Sequence, residues 1–109
     1  MHDFRKLLVW KKARALVKTV FLNANKFPKE EAFGLTAQIK RAAISIPSNI
    51  AEGCGRGSTK QLRYHLEVAL GSSFELETQV LIANDLDYLN EQNTEELISK
   101  IQEVSKMII

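Results

Sequence analysis

Residues 58–89 read STKQLRYHLEVALGSSFELETQVLIANDLDYL, and this stretch decides the fold. Apolar and small side chains recur along it at alternating steps of four and three residues; they are Leu62, Leu66, Ala69, Ser73, Leu76, Val80 and Ala83. This heptad-like spacing predicts a helix that packs closely and nearly parallel to its neighbours. Ser58 and Gln61 form a capping box for its first turn. A helix over residues 58–89 would be about 48 Å long, so its neighbours must be long as well.

Two further helical patterns precede this stretch. The first helix carries an apolar stripe and ends before Pro28, because the residue that precedes a proline avoids the helical region. The second begins at Pro28, has acidic residues near its positive end and stops at the glycine-rich residues 53–57. Pro47 lies inside the second pattern, where it predicts a kink. The two stripes are Trp10, Ala13, Val17, Val20, Ala24 and Phe27, then Leu35, Ile39, Ala42, Ile46 and Ile50.

A fourth pattern follows, with Asn93 as its predicted cap and an apolar stripe at Leu97, Ile101, Val104 and Ile108. Four amphipathic segments joined by short connections predict an all-α protein, an antiparallel up-and-down four-helix bundle with a long third helix. We expect a single domain over residues 1–109, since one core usually spans about 100–200 residues. Five glycines and two prolines are too few for the many turns of a β-sandwich or barrel.

The net charge of +2 conceals an uneven distribution along the chain. Residues 1–63 contain 13 Lys and Arg against 4 Asp and Glu, a net charge of +9. Residues 64–109 contain 2 against 9, a net charge of −7. In an antiparallel bundle the basic first and second helices lie beside the acidic third and fourth helices. The uneven charge therefore affects how helices and subunits assemble as well as which partners the protein binds.

Several classes of protein are excluded by composition. One cysteine cannot form a disulfide within the chain, and two histidines leave too few ligands for a structural zinc site. We expect no metal, no cofactor and no enzymatic activity. No apolar run approaches the ~18–20 residues of a membrane helix, and the run after Lys6 is too short for a signal peptide. We therefore expect a soluble cytoplasmic protein that does not bind membranes.

Basic residues of the first half are the first candidate site. Lysine and arginine gathered on one surface bind phosphates and release counterions, which makes nucleic-acid binding sensitive to salt. The candidate phosphate contacts, with RNA as the preferred partner, are Lys11, Arg14, Lys18, Lys40, Arg41 and Arg56. The alternative is a solvated face that the acidic helices neutralise, either within one molecule or between subunits.

A polar stripe along the second helix and a polar patch on the third form the second candidate site. The residues are Arg41, Ser45, Asn49, Glu52, Ser72 and Glu75. We expect an Arg41–Glu75 or an Asn49–Glu75 contact, because such groups are costly to bury without partners. The stripe is read either as a network that fixes helix register or a subunit interface, or as a ligand-binding or catalytic cluster of Arg41, Asn49, Glu52 and Glu75.

Four smaller features also carry an expectation. The glycine-rich residues 53–57 before a helix start are read as an interhelical turn, with an anion cradle as the alternative. Cys54 lacks an evident base, and we expect it to be a buried residue rather than a nucleophile. His65 is expected at the surface or in an interface. Gly71 within the third helix predicts close approach of another helix, which together with the apolar C-terminus favours an oligomer.

Strings along nearly the whole chain resemble one protein family. They are Phe4–Leu7 with Val9–Ala13, Phe27–Glu31 with Phe33–Leu35, Gln38–Gly53 with Gly55 and Arg56, and Ala69–Ser72 with Glu75–Glu77. In these the chain resembles the four-helix-bundle proteins encoded in intervening sequences of bacterial 23S ribosomal RNA genes, which have been labelled ribosomal proteins. The resemblance implies a homopentamer of uncertain function. It also implies kinship with the accessory proteins of diversity-generating retroelements, basic pentamers thought to bind nucleic acid and a reverse transcriptase.

These observations lead to one functional prediction and one alternative. We predict a non-enzymatic homo-oligomer, a pentamer, that associates with RNA or another nucleic acid. The alternative is a purely structural or protein-interaction oligomer, in which basic and acidic halves meet across subunits.

Overall fold

A computed structural model describes residues 2–109, and Met1 lies outside it. The helices are α1 (Leu8–Ala24), α2 (Leu35–Gly55), α3 (Thr59–Asp85) and α4 (Glu91–Ile108), and short 3-10 turns at Phe4–Lys6 and Lys29–Glu31 precede the first two. Each helix packs against its neighbours in sequence, α1 also packs against α4, and the α2–α3 contact is the most extensive. The described chain contains no strand. The predicted all-α four-helix bundle with a long third helix is confirmed.

The apolar stripes meet in one core. Ile39, Ile46, Ile50, Leu76 and Ile101 are each at most 1% exposed. The stripes are less complete toward the ends of the bundle, where the predicted seam residues Leu62 and Leu66 are only partly buried. The sequence pattern missed Leu16, which is buried on the core side of α1.

The predicted boundaries of the first two helices need correction. The first helix ends at Ala24, one turn before Phe27, although Phe27 is still buried. The second helix does not begin at Pro28, which leads into a separate 3-10 turn; α2 begins at Leu35. The expected acidic residue at its start is nevertheless present, because the backbone N–H of Leu35 donates to Glu31 Oε1 over 3.2 Å. α2 then continues as one helix through Pro47.

The α3–α4 connection also differs from its prediction. α3 ends at Asp85, four residues earlier than expected, and Asp87 adopts a left-handed backbone with φ of 63°. The Asn84 side chain donates to the Leu89 carbonyl and closes this turn. Asn90, rather than Asn93, caps α4, because its Oδ1 accepts the Asn93 N–H at 2.7 Å. The predicted cap at Asn93 is therefore wrong by three residues.

Close approach of two helices occurs at Gly53, not at the predicted Gly71. A Cβ built on Gly53 would lie 2.9 Å from His65 Cβ and 3.2 Å from Leu62 Cδ1, so the α2 backbone passes directly over α3. A Cβ on Gly71 would meet nothing within 4 Å. Within one chain the prediction for Gly71 is wrong, because this residue lies on the exposed side of α3.

This contrast gives a matched pair of alanine substitutions. Gly53→Ala should destabilise the protein by about 1–3 kcal/mol, because the added methyl forces the tightly packed helices apart. Gly71→Ala should stabilise it by about 0.5–1 kcal/mol, because alanine is the better helix former where space is open. Urea denaturation followed by circular dichroism measures both values. A Gly53→Ala protein as stable as wild type would contradict the close approach.

Candidate functional site

Three of the six candidate phosphate contacts lie exposed on the outer side of α1. Lys11, Arg14 and Lys18 follow one another at steps of three and four residues, so they share one face of the helix. The Arg14 guanidinium carbon lies 5.5 Å from the centre of the Trp10 ring, which restrains the side chain. In the described part of the chain, none of the three forms an ion pair within 4.0 Å.

Lys40 of α2 belongs to the same side of the molecule. Its Nζ donates to Asn25 Oδ1, just beyond α1, over 2.6 Å and lies 4.9 Å from the centre of the Phe21 ring. Both contacts place Lys40 on the side of α2 that faces α1. We refer to Lys11, Arg14, Lys18 and Lys40 together as the basic α1 surface.

Arg41 and Arg56 are not part of this surface. Arg41 lines a groove of about 370 Å³ between α2 and α3, together with Ser45, Ser72 and Glu75. Arg56 has a neighbouring carboxylate, with its Nη2 3.5 Å from Glu52 Oε2. Consecutive helix residues point about 100° apart, so Lys40 and Arg41 turn toward different neighbours. The structure thus places Arg41 and Arg56 apart from the other four predicted residues.

Three residues of the second candidate site, Ser45, Asn49 and Ser72, form a polar network with His65 between α2 and α3. Ser45 Oγ lies 2.7 Å from Ser72 Oγ, a hydrogen bond that joins the helices. Asn49 Nδ2 donates to the Ser45 carbonyl and to Ser45 Oγ, over 2.9 and 3.1 Å. Asn49 Oδ1 is 3.1 Å from His65 Nδ1, so the tautomer with its proton on Nδ1 completes the network. Glu52 Oε2 lies further away, 3.8 Å from the same nitrogen.

The expected contacts to Glu75 are not formed. Arg41 and Glu75 line the same groove, but they do not approach within 4.0 Å as an ion pair in the structure of residues 2–109. The Asn49 amide is occupied by Ser45 and His65 instead. The proposed catalytic cluster is therefore divided, with Arg41 and Glu75 in the groove and Asn49 and Glu52 near His65. The geometry fits a network that holds α2 and α3 in register.

His65 is the polar residue that sequence reasoning misplaced. It is only 7% exposed within the single chain, packed where Gly53 crosses α3, and it bonds Asn49. The helical spacing does indicate that His65 is buried, because it lies four residues before the buried Ala69 and therefore on the same helix face. The α2 stripe placed Asn49 correctly, but only the packing of the two helices shows that His65 is its partner.

Cys54 and the glycine-rich turn show no sign of a nucleophilic site. The thiol of Cys54 is 1% exposed, and burial raises its pKa, which keeps it protonated near neutral pH. After the turn, the backbone N–H of Gln61 donates to Ser58 Oγ, so the predicted cap at the start of α3 is present.

Across residues 2–109, no group of three or more His, Cys, Asp or Glu side chains is placed to hold a metal ion. No helix in that range is long and apolar enough to span a membrane.

Comparisons with known proteins agree with this architecture. The sequence profile of a family described as "23S rRNA-intervening sequence protein" matches residues 5–109. The fold is similar to that of a crystallised protein of unknown function from the S23 ribosomal protein family of Bacteroides thetaiotaomicron VPI-5482, with a TM-score of 0.84. That pair shares 24% identity over 94% of this chain and 95% of the other, so the likeness shows the fold alone. No curated protein matches the chain.

The environment of Cys54 predicts slow thiol chemistry. Iodoacetamide should alkylate native Cys54 at least ~10-fold more slowly than the urea-unfolded chain, because the thiolate is the reacting species and burial disfavours it. Mass spectrometry of timed samples measures both rates. Equal rates in the folded and unfolded protein would show that the thiol is accessible, and would favour a nucleophilic role for Cys54.

Proposed function

The chain belongs to the 23S rRNA-intervening sequence protein family, and on this basis we propose that it acts without catalysis, as a cytoplasmic homo-oligomer that associates with RNA. A pentamer is the assembly we propose, as the family resemblance implies. The family resemblance also implies kinship with the accessory proteins of diversity-generating retroelements, which are basic pentamers thought to bind nucleic acid, and this kinship supports a nucleic-acid partner.

The basic α1 surface is the observation that carries this proposal. Its four cations lie on one side of the bundle, and none of them has a carboxylate within 4.0 Å among residues 2–109. The adjacent Lys12 differs, because its Nζ is 3.2 Å from Glu103 Oε2 on α4. The acidic half of the chain thus engages one lysine of α1 and leaves its neighbours available to phosphates. Several such contacts on one surface give affinity that depends on shape and salt more than on sequence.

A second candidate function is a purely structural or protein-interaction oligomer that binds no nucleic acid. The observation that favours it is the outer side of α3, where Phe74, Leu81 and Ile82 are 52, 47 and 42% exposed, and Leu86 just beyond the helix end is 48% exposed. Apolar side chains gathered on one helix face are typical of a protein contact. Acidic residues accompany them on α3, so this face is complementary in charge to the first two helices of another copy.

RNA binding is tested by removing the charges of the basic α1 surface. The triple variant Lys11→Ala, Arg14→Ala, Lys18→Ala should bind a structured RNA at least ~10-fold more weakly than wild type at about 50 mM salt. The slope of log affinity against log salt should fall by about 2–3, since each phosphate contact contributes roughly one unit or slightly less. Fluorescence anisotropy over a salt titration measures both quantities.

The matched control removes three lysines elsewhere. Lys12→Ala, Lys100→Ala, Lys106→Ala lowers the net charge equally, but Lys12 and Lys100 already contact Glu103 and Glu96. This control should keep most of the affinity and of the salt slope. An equal loss in both variants would contradict the assigned surface. No affinity of the wild-type protein even at low salt would refute RNA binding and favour the structural oligomer.

A further inference from the structure

Phe33 is the most exposed large apolar side chain among residues 2–109. It is 99% exposed, in the connection between α1 and α2, with Ala32 and Gly34 as its neighbours. The nearby aromatic residues Phe27 and Tyr88 pack against each other, with ring centres 5.5 Å apart. Because its side chain is almost entirely exposed, Phe33 contributes nothing to the core of its own chain.

The chain also has an apolar groove that its own side chains leave unfilled. The groove lies between the first half of α3 and the end of α4, has a volume of about 450 Å³ and is lined mainly by Leu62, Leu66, Leu70 and Ile108. Arg63 and Glu67 border it with opposite charges. A cavity of this size and lining accommodates an aromatic side chain.

The two features lie at opposite ends of the bundle. Phe33 precedes the first residue of α2, whereas the groove lies beside the N-terminal half of α3, which follows the end of α2. The 21 residues of α2 separate these ends by about 30 Å. Phe33 therefore cannot reach the groove of its own chain, and only another copy can bring the two together.

The charges beside each feature are complementary. Lys29 and Glu30 lie in the connection that carries Phe33, and Arg63 and Glu67 lie at the groove. Within the described chain none of these four side chains has an ion-pair partner within 4.0 Å. An aromatic anchor flanked by charges of both signs can thus meet an apolar groove that is bordered by charges of both signs.

We propose that Phe33 of one copy inserts into the α3–α4 groove of the next, so that the chains associate head to tail. This inference rests on the proposed homo-oligomer and names its contact. A contact between two different surfaces is heterologous, and it closes into a ring when the rotation between copies allows. Neither half of the contact includes a residue of the basic α1 surface.

The competing apolar surface is the outer side of α3 with Phe74 and Leu81. Pairing this face with itself would bring Glu75, Glu77 and Asp85 of two copies together, and like charges disfavour such a contact. The experiment below includes this face as an outcome.

Two variants test the two halves of the contact by light scattering coupled to size exclusion. Phe33→Ser changes a side chain without intramolecular packing, and Leu70→Glu places a charge at the groove. Each variant alone should fall to the mass of one 12.3 kDa chain, with the helical circular dichroism of wild type. An equimolar mixture should form a two-chain species, because the intact Phe33 of one variant fits the intact groove of the other, and no larger assembly should form.

Leu22→Ser is the matched control, because Leu22 is also an exposed apolar residue, 58% accessible, but lies on α1 outside both halves. It should keep the wild-type mass. A monomeric wild type, or an unchanged mass for Phe33→Ser, would overturn the proposal. Loss of assembly in Phe74→Ser but not in Phe33→Ser would assign the contact to the outer side of α3 instead.

Failure of this inference and failure of RNA binding give different results. If the head-to-tail contact is wrong, Phe33→Ser keeps the wild-type mass whatever the RNA affinity. If RNA binding alone is wrong, wild type assembles and Phe33→Ser dissociates, but neither protein binds RNA at low salt.

Discussion

At Gly53 and at the Ser45–Ser72 hydrogen bond, α2 and α3 approach so closely that little room is left for side chains between them. A glycine at one crossing point and two hydroxyl groups at another permit this distance. The polar groups that this approach partly or fully buries are hydrogen-bonded one to the next, from Ser72 through Ser45 and Asn49 to His65. A shift of one residue along either helix would separate these partners, and an unpaired buried polar group is costly. The network therefore fixes the register of the most extensive helix pair.

This packing also decides how the charges of the chain are presented. Arg41 lies in the groove between α2 and α3, whereas Lys40, about 100° further around α2, lies beside α1. The acidic helices could in principle neutralise the basic ones within one molecule. In the described residues, the Lys12–Glu103 pair is the one Lys–carboxylate contact that joins α1 to α4. The remaining basic residues of α1 are thus available to partners, which is the physical basis for proposing a polyanionic ligand.

The bundle has a buried apolar core, but it also leaves several apolar groups exposed at its surface. Its central side chains are buried, whereas Phe33, the α3–α4 groove and the outer side of α3 expose apolar groups that no other part of residues 2–109 covers. None of these features includes a residue of the basic α1 surface. Assembly and phosphate binding can therefore use separate parts of the same small bundle.

The amino-acid sequence by itself determined the fold, because burial along a helix repeats with a period that can be read directly from residues such as Leu76, Ile46 and Ile101. It also located Ser58 as a cap and Asn49 in a polar stripe, since both follow from spacing along one helix. The predictions made from the sequence were wrong for the burial of His65, for the close helix approach at Gly71 and for the cap of α4. The sequence-based prediction also grouped Lys40 and Arg41 on one surface. Only the tertiary structure decided these points, because they depend on how far each helix is rotated about its axis and on which neighbour it then meets.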